Sequence, residues 1–347
     1  MDRRTFLKTT TVAAGSGLAL SSPPALAGAD IDKPAAPALS RGTLELTFAT
    51  AWEADVPVFG DAAQRMRIRL DQVLGDRCRV VAVEASEEAD LTFGPISVEQ
   101  EPAFAFFGGL PGSYGLESAQ LQAWLVAGGG QMLWDDLAAR HGFKPLLAGH
   151  TGKSPGLWAS RPIWSATDLV GASVAVTGLG ASVASNLGAS PRQLPPSRLS
   201  DALAKRELAA VEWGNLLADL MVRLPQSAAH LYSGGIHRKG TTIALNVRLA
   251  LWERLESSMR LALENLAAHE LAVSSAELLA HARIAEQAIG AMPDLEVSNL
   301  PATLTNAIDR ATSALIDEIG TSSPDDRRIR DSYLGFSRQV QTPDPMA

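Results

Sequence analysis

Apolar and polar residues alternate with two different periods along this chain, and the changes of period mark out its elements. Residues 43–50 (T-L-E-L-T-F-A-T) alternate with period two and predict a first strand. Over 61–74 the apolar positions Met66, Ile68, Leu70, Val73 and Leu74 follow helical spacing, with Asp61 near the start, so an amphipathic helix is expected. Residues 80–83 and 90–93 read as the second and third strands. Helical patterns over 121–126 and 131–141 are separated by Gly128-Gly129-Gly130, which breaks the run. Two compact strands are expected at 145–148 and 173–176, and a helix at 199–208 entered through Ser197 or Ser200 as cap. The proline-free amphipathic stretch 251–289 predicts one or two helices lying across the back of the molecule. A further helix is expected over 302–319, and from Ser322 onward the chain reads as a polar tail. Short strands interleaved with helices are the pattern of an α/β architecture.

The N-terminus carries a different signal. Residues 1–8 (M-D-R-R-T-F-L-K) set two arginines before an apolar pair and a lysine, a modest apolar stretch follows at 12–20, and Ala25-Leu26-Ala27 offers the small residues a signal peptidase reads. This predicts a twin-arginine signal peptide over 1–27, hence a periplasmic protein, with an Ala/Pro-rich leader over 28–42. The apolar stretch is too short to span about 30 Å of hydrocarbon. Removing it leaves enough chain for two lobes, and 46% apolar residues suffice for two cores. The net charge of -8 argues against a nucleic-acid partner, since no basic run could neutralise successive phosphates. Cys78 is the only cysteine, so an internal disulfide and a thiolate metal cluster are excluded. It falls in an alternating apolar run and is expected to be a buried structural thiol.

Several motifs imitate catalytic or nucleotide-binding sites. Residues 147–154 (L-A-G-H-T-G-K-S) approach a phosphate-binding loop, but Leu147 stands where glycine is needed, and Pro155-Gly156 is a poor start for the helix. Residues 174–183 (V-A-V-T-G-L-G-A-S-V) give half of a dinucleotide fingerprint, with Val183 in place of the third glycine. What survives is geometry: Gly178-Leu179-Gly180 is expected to turn a strand into a helix whose positive N-terminus suits a carboxylate. The six histidines lack cysteine or carboxylate partners at ligand spacing, which leaves no candidate zinc site.

A more specific signal is an ordered succession of glycine and aromatic punctuation. It begins with Phe104-Ala105-Phe106-Phe107-Gly108-Gly109-Leu110-Pro111, passes Trp124, Gly128 to Leu137 and Gly142-Phe143-Lys144-Pro145, and continues through Gly149-His150-Thr151-Gly152, Trp158 and Asp168-Leu169-Val170-Gly171. It ends with Gly178-Leu179-Gly180, Leu187-Gly188-Ala189, Leu194-Pro195, Asp201-Ala202-Leu203 and Val211-Glu212-Trp213. Between about residues 47 and 252 this resembles the periplasmic solute-binding subunits of TRAP transporters, and within them the branch that binds α-keto acids.

The resemblance implies a two-lobed periplasmic binding protein-like fold, type II-like, with a hinge and long C-terminal helices. Lobe I would take 43–153 and about 243–275, lobe II 154–242 and about 276–340. It implies no enzyme but a capturing subunit that hands a small organic acid to membrane permease subunits. In the family an arginine on the strand before the Gly-Leu-Gly turn meets the carboxylate, and a sodium ion is held by a glutamine and a glutamate. Here those positions fall on Ala175, Ser154 and, within one residue, Arg238. The expectation is therefore a site with no cofactor, its sodium lost, and with Arg238 offering a bidentate fork to the carboxylate. Lys153 and Arg161 are weaker substitutes. A solvated loop at Arg238 and Lys239, with a cleft for a neutral or bulky solute, is the competing expectation.

Ligand-facing candidates are Trp52, Phe107, Ser154, Trp158, Gly178, Gly180, Glu212, Trp213 and Arg238. The first lobe looks shortened, with six residues between Val83 and Asp90 where the family carries a helix. This shortening and the lost arginine keep open a degenerate homologue that acts as a sensor or interaction module; an exported cofactor enzyme is a minor alternative. Some relatives pair through a C-terminal helix, so residues 302–319 are a candidate homodimer contact or, equally, a cover for one lobe.

Overall fold

The computed structural model describes residues 44–341 except Pro57, Asp76, Arg77, residues 85–87, Gln100 and Arg238. The expected signal peptide and leader lie outside the described residues, as does Arg238 itself.

Eleven strands are formed among the described residues: β1 (Leu44–Thr50), β2 (Cys78–Ala82), β3 (Leu91–Pro95), β4 (Phe143–His150), β5 (Gly156–Ala159), β6 (Ser173–Ala175), β7 (Ser190–Arg192), β8 (Ala210–Val211), β9 (His230–Ser233), β10 (Thr242–Arg248) and β11 (Glu296–Asn299). They build two sheets, ordered β2-β1-β3-β10-β4 and β11-β9-β5-β8-β6-β7. In the first sheet β1 runs parallel to β2 and β3, whereas β10 is antiparallel to both β3 and β4.

Strand alternation explains the first core. Leu46, Phe48, Val80, Leu91, Phe93, Leu245 and Val247 project to one face and pack with Met66 and Leu70 of the helix Phe59–Leu74 and with Leu263, Leu266 and Ala267 of the helix Ser257–Gly290. Cys78 is buried in this core, as expected. Towards β4 and β10 the opposite face is covered by Phe106, Phe107, Trp124, Trp134 and Tyr333. The connection between Ala82 and Leu91 contains no helix among its described residues, which leaves it shorter than the dozen or so residues usual for a covering crossover. It is tied down through Asp90, whose Oδ2 accepts from the Thr47 N–H and hydroxyl, both at 2.9 Å.

Two short segments connect the sheets, 151–155 leading from β4 into β5 and 234–241 returning from β9 to β10, and the helical stretch between β10 and β11 makes a third, longer connection. The two short segments are laced together, because the Thr151 N–H donates to the Thr241 carbonyl at 2.8 Å and the Thr241 N–H to Thr151 Oγ1 at 2.8 Å. Gly240, at φ 83°, makes this crossing possible: a Cβ there would stand 1.9 Å from the Gly152 carbonyl oxygen. The helix Ser257–Gly290 passes behind both sheets, contributing Leu263, Leu266 and Ala267 to the first core and Ile289 to the second.

Two expectations change. The helix expected at 199–208 is Pro196–Ala204, with Pro at N1 and Pro195 at the N-cap, so neither Ser197 nor Ser200 caps it. The polar tail is a helix, Pro324–Gln341, which buries Ile329, Tyr333 and Ser337 at i, i+4 and i+8. The stretch 251–289, expected as one or two helices, is two, Leu249–Arg254 and Ser257–Gly290. The helix expected at 302–319 is Ala302–Ser322, and it buries Leu304, Ile308, Ile316 and Ile319 within its own chain, which spends its apolar face as a cover. No described helix is long and apolar enough to cross a membrane.

Candidate functional site

Where the two connecting segments pass between the sheets, they meet the end of β8. Val211 ends that strand, and the next residue, Glu212, is 5% exposed. Its Oε2 accepts from the Ile236 N–H at 2.5 Å, and its Oε1 from the His237 N–H at 2.9 Å. The Ser154 hydroxyl, on the other connecting segment, lies near enough to favour its charged form. Burial raises the Glu212 pKa, opposed by the nearby His237, the Ser154 hydroxyl and the two backbone N–H groups. Gly235 lets the loop come this close, since a Cβ there would lie 2.6 Å from the carboxylate. One buried carboxylate thus fixes the 234–241 segment to the end of β8, with Ser154 of the 151–155 segment beside it.

Trp213 follows. It is half-buried and meets Phe59 edge-on at 5.8 Å, and Phe59 in turn stacks on Trp52 at 5.1 Å. These three rings bridge the end of β1, the first turn of the helix Phe59–Leu74 and the end of β8. Val58, just before Phe59, has φ 69°, a strained value for a β-branched residue placed at the junction of the two lobes. Asn215 adds a further tie, its Nδ2 donating to the Thr151 carbonyl at 2.8 Å.

Behind Glu212 lies a second buried carboxylate. Asp219 has 0% exposure; it accepts from Trp158 Nε1 at 2.7 Å and from the Gly214 N–H at 3.0 Å. Burial pushes its pKa up to about 7 despite those two donors, and the neighbouring Glu212 adds to the rise. His150, at the end of β4, accepts the Gly152 N–H on Nδ1 at 3.1 Å, and burial pushes its pKa down to about 4.

Ser154 stands between two cavities. One, of about 480 Å³, is bounded by Ser113, Gln120, Lys153 and Lys239, the last paired with Glu117. The other, of about 880 Å³, lies towards Phe59, Asn215 and Leu278.

The sequence-predicted residues therefore divide. Ser154, Glu212 and Trp213 converge here, Gly180 joins them through His237 and Trp52 through Phe59, whereas Gly178 only turns the chain into its helix. Phe107 does not converge here. It has 0% exposure and is stacked between Trp124 at 5.3 Å and Trp134 at 5.6 Å, so its ring serves the first lobe's core. Trp158 is likewise 0% exposed, turned inward by its hydrogen bond to Asp219. The turn at Gly178, which has φ 57°, does start the helix Leu179–Asn186, but the Gly180 N–H is not left open for a carboxylate: His237 Nε2 accepts it at 3.0 Å. Ala175 is buried among apolar neighbours. Residues absent from the sequence-based set are Phe59, Asn215, Asp219 and His237; the Asn-Leu-Leu-Ala run at 215–218 signalled a helix cap, and a lone histidine signalled nothing.

Comparison with known proteins places this geometry in context. Residues 100–322 match the family model described as bacterial extracellular solute-binding protein, family 7. A monocarboxylate 2-oxoacid-binding periplasmic protein of Nostoc sp. is 33% identical over 158 residues, which make up 46% of this chain and 43% of that protein, so the chain spans less than half the length of this relative. Among solved structures, a TRAP transporter solute-binding protein from Bordetella bronchiseptica with calcium and picolinate superimposes with a TM-score of 0.78 at 24% identity, over 86% of this chain and 93% of that one. One from Colwellia psychrerythraea with bound calcium and pyruvate gives 0.78 at 21% identity, over 86% and 95%. These likenesses show a shared two-lobed fold. Each Glu212 oxygen accepts one backbone N–H. Among the described residues no group of three or more His, Cys, Asp or Glu could hold a metal ion.

Proposed function

Since the chain belongs to the bacterial extracellular solute-binding proteins of family 7, we propose that it captures a small monocarboxylate of the 2-oxo acid class between its lobes, in the periplasm, and delivers it to TRAP membrane permease subunits. One observation carries this reading: both short connecting segments and the end of β8 meet at a single buried carboxylate, Glu212, flanked by the Trp213–Phe59–Trp52 bridge. A solute held at that junction touches both lobes and the segments about which they turn. The Nostoc relative, named for binding 2-oxo monocarboxylates, supports the solute class.

In this reading capture proceeds without a metal ion. Arg238, next to His237 in sequence, supplies the guanidinium for the solute carboxylate in place of the strand arginine, because an anion taken into a buried site needs a cationic or multiply donating partner. Export by the twin-arginine route completes the account of how the folded chain reaches its compartment.

A thermal-shift panel tests the solute class. Pyruvate and longer 2-oxo acids at about 100 times their dissociation constant are expected to stabilise the protein by ~2.7 kcal/mol, equally with and without added sodium or calcium, and Arg238→Ala is expected to abolish the shift at the same concentrations. A panel in which no 2-oxo acid moves the melting temperature refutes the reading.

A further inference from the structure

Gly180 is the second residue of the helix Leu179–Asn186, so its N–H finds no carbonyl inside the helix. It donates instead to His237 Nε2 at 3.0 Å. The Thr177 carbonyl oxygen lies 2.9 Å from the same nitrogen, and the two neighbours make opposite demands on it. A nitrogen that accepts from Gly180 cannot also donate to Thr177. Facing the Gly180 N–H with a ring N–H strands a donor that no ligand can reach, whereas a proton on Nδ1 leaves a donor that a bound acceptor can satisfy, and the Thr177 carbonyl keeps a second lone pair. Nε2 is therefore the acceptor, and the proton of the neutral ring sits on Nδ1.

That Nδ1 is buried and meets no hydrogen-bond partner among the described residues. The carboxylate closest at hand is already committed: Glu212 takes the Ile236 and His237 N–H groups. Buried donors are rarely left without an acceptor. The unpaired N–H stands on the loop that Glu212 fixes between the lobes, one position before Arg238.

We propose that Nδ1–H of His237 is a solute-binding donor, giving its hydrogen bond to an acceptor oxygen of the captured 2-oxo acid, with Gly180 as the positioning residue that fixes the tautomer. This rests on the reading that the chain binds a 2-oxo acid and adds to it a basis for selectivity. The acceptor is the ketone oxygen, because a carboxylate oxygen would be common to the 2-oxo acid and the matching 2-amino acid. The ammonium of the matching 2-amino acid would set donor against donor and leave both unpaired. The site takes pyruvate and rejects alanine.

Nitrogen-15 NMR of the histidine-labelled full chain, run alongside calorimetric titration with pyruvate, reads this directly. Before solute is added, the His237 ring is expected to show a protonated Nδ1 and an unprotonated Nε2; saturating pyruvate is expected to move the Nδ1 resonance and its proton, and alanine to leave both unchanged. His237→Ala is expected to weaken pyruvate binding about 10–100-fold, and His237→Asn, whose amide can still donate, to recover part of that loss. A proton found on Nε2, or an Nδ1 unmoved while calorimetry shows pyruvate bound, overturns the assignment alone. Failure of every 2-oxo acid to bind removes the functional reading and the assignment with it.

Discussion

Glu212→Ala is expected to release the 234–237 end of the 234–241 segment and to abolish solute binding. The substitution leaves the Ile236 and His237 N–H groups without their acceptor in a buried place, at about 1–3 kcal/mol for each. The Thr151–Thr241 pair still laces the two connecting segments together, so the loss falls on the 234–237 end of the loop. Glu212→Gln is not a benign control. The donors address different oxygens, so the new NH₂ must face one of them, N–H against N–H. The amides of Ile236 and His237 report the effect by hydrogen exchange: protection should fall by at least about tenfold in both variants, with a drop in melting temperature and no measurable affinity for 2-oxo acids. Protection unchanged in Glu212→Ala would mean that the loop is held by other contacts and that Glu212 is incidental to it.

The second large effect is expected far from the solute. Glu270, in the middle of the helix Ser257–Gly290, has 0% exposure and meets two arginines of the helix Phe59–Leu74. Arg65 approaches Oε1 at 2.6 Å and Arg69 reaches Oε2 at 3.1 Å, while Glu277 binds the same Arg65 at 3.0 Å. The hydrogen bond to Glu270 is the largest cause raising the Arg65 pKa, so the guanidinium stays charged whatever the pH of the periplasm. Removing Glu270 leaves that charge half-buried with a single exposed partner. Breaking a buried pair from one side costs roughly 3–5 kcal/mol, because the surviving charge keeps its desolvation penalty. Glu270→Ala should lower the urea midpoint accordingly, while Glu277→Ala, which removes a surface partner, should cost about 1 kcal/mol or less. Equal losses for the two variants would show that the helix is held to the first lobe by its apolar face alone.

Much of the fold is legible in the sequence, for reasons that can be named. The alternation in T-L-E-L-T-F-A-T, the helical spacing from Met66 to Leu74 and the three glycines at 128–130 are local signals, and β1, the helix Phe59–Leu74 and the break before Gly130–Arg140 sit on them. Local signal fails where an element depends on distant partners. β8 has two residues and exists because β5 and β6 flank it. The helix Pro324–Gln341 is mostly polar, and only the docking of Ile329 and Tyr333 on the aromatic layer below it, with the Tyr333 hydroxyl accepting the Leu116 N–H, makes it part of the fold.

The site divides along the same line. Ser154, Glu212 and Trp213 stand out because they fall within the punctuation shared with a known family. Phe107 and Trp158 stand among the ligand-facing candidates, although an aromatic ring among glycines is more often core than contact. Their destination is set by neighbours 17 to 61 residues away, Trp124, Trp134 and Asp219, and period or composition does not encode those contacts. His237 was invisible for a related reason: what gives it a role is the Gly180 N–H, 57 residues earlier, and no spacing rule links a histidine to a helix amide.

Calorimetric titration of the chelator-treated protein with pyruvate tests the central claim most directly, that a small 2-oxo acid is held at the Glu212 junction without a cation. The account predicts a saturable one-site isotherm with a dissociation constant that is the same in sodium, in calcium and in their absence. An isotherm that appears only when sodium or calcium is restored, or no heat with any 2-oxo acid, would contradict it.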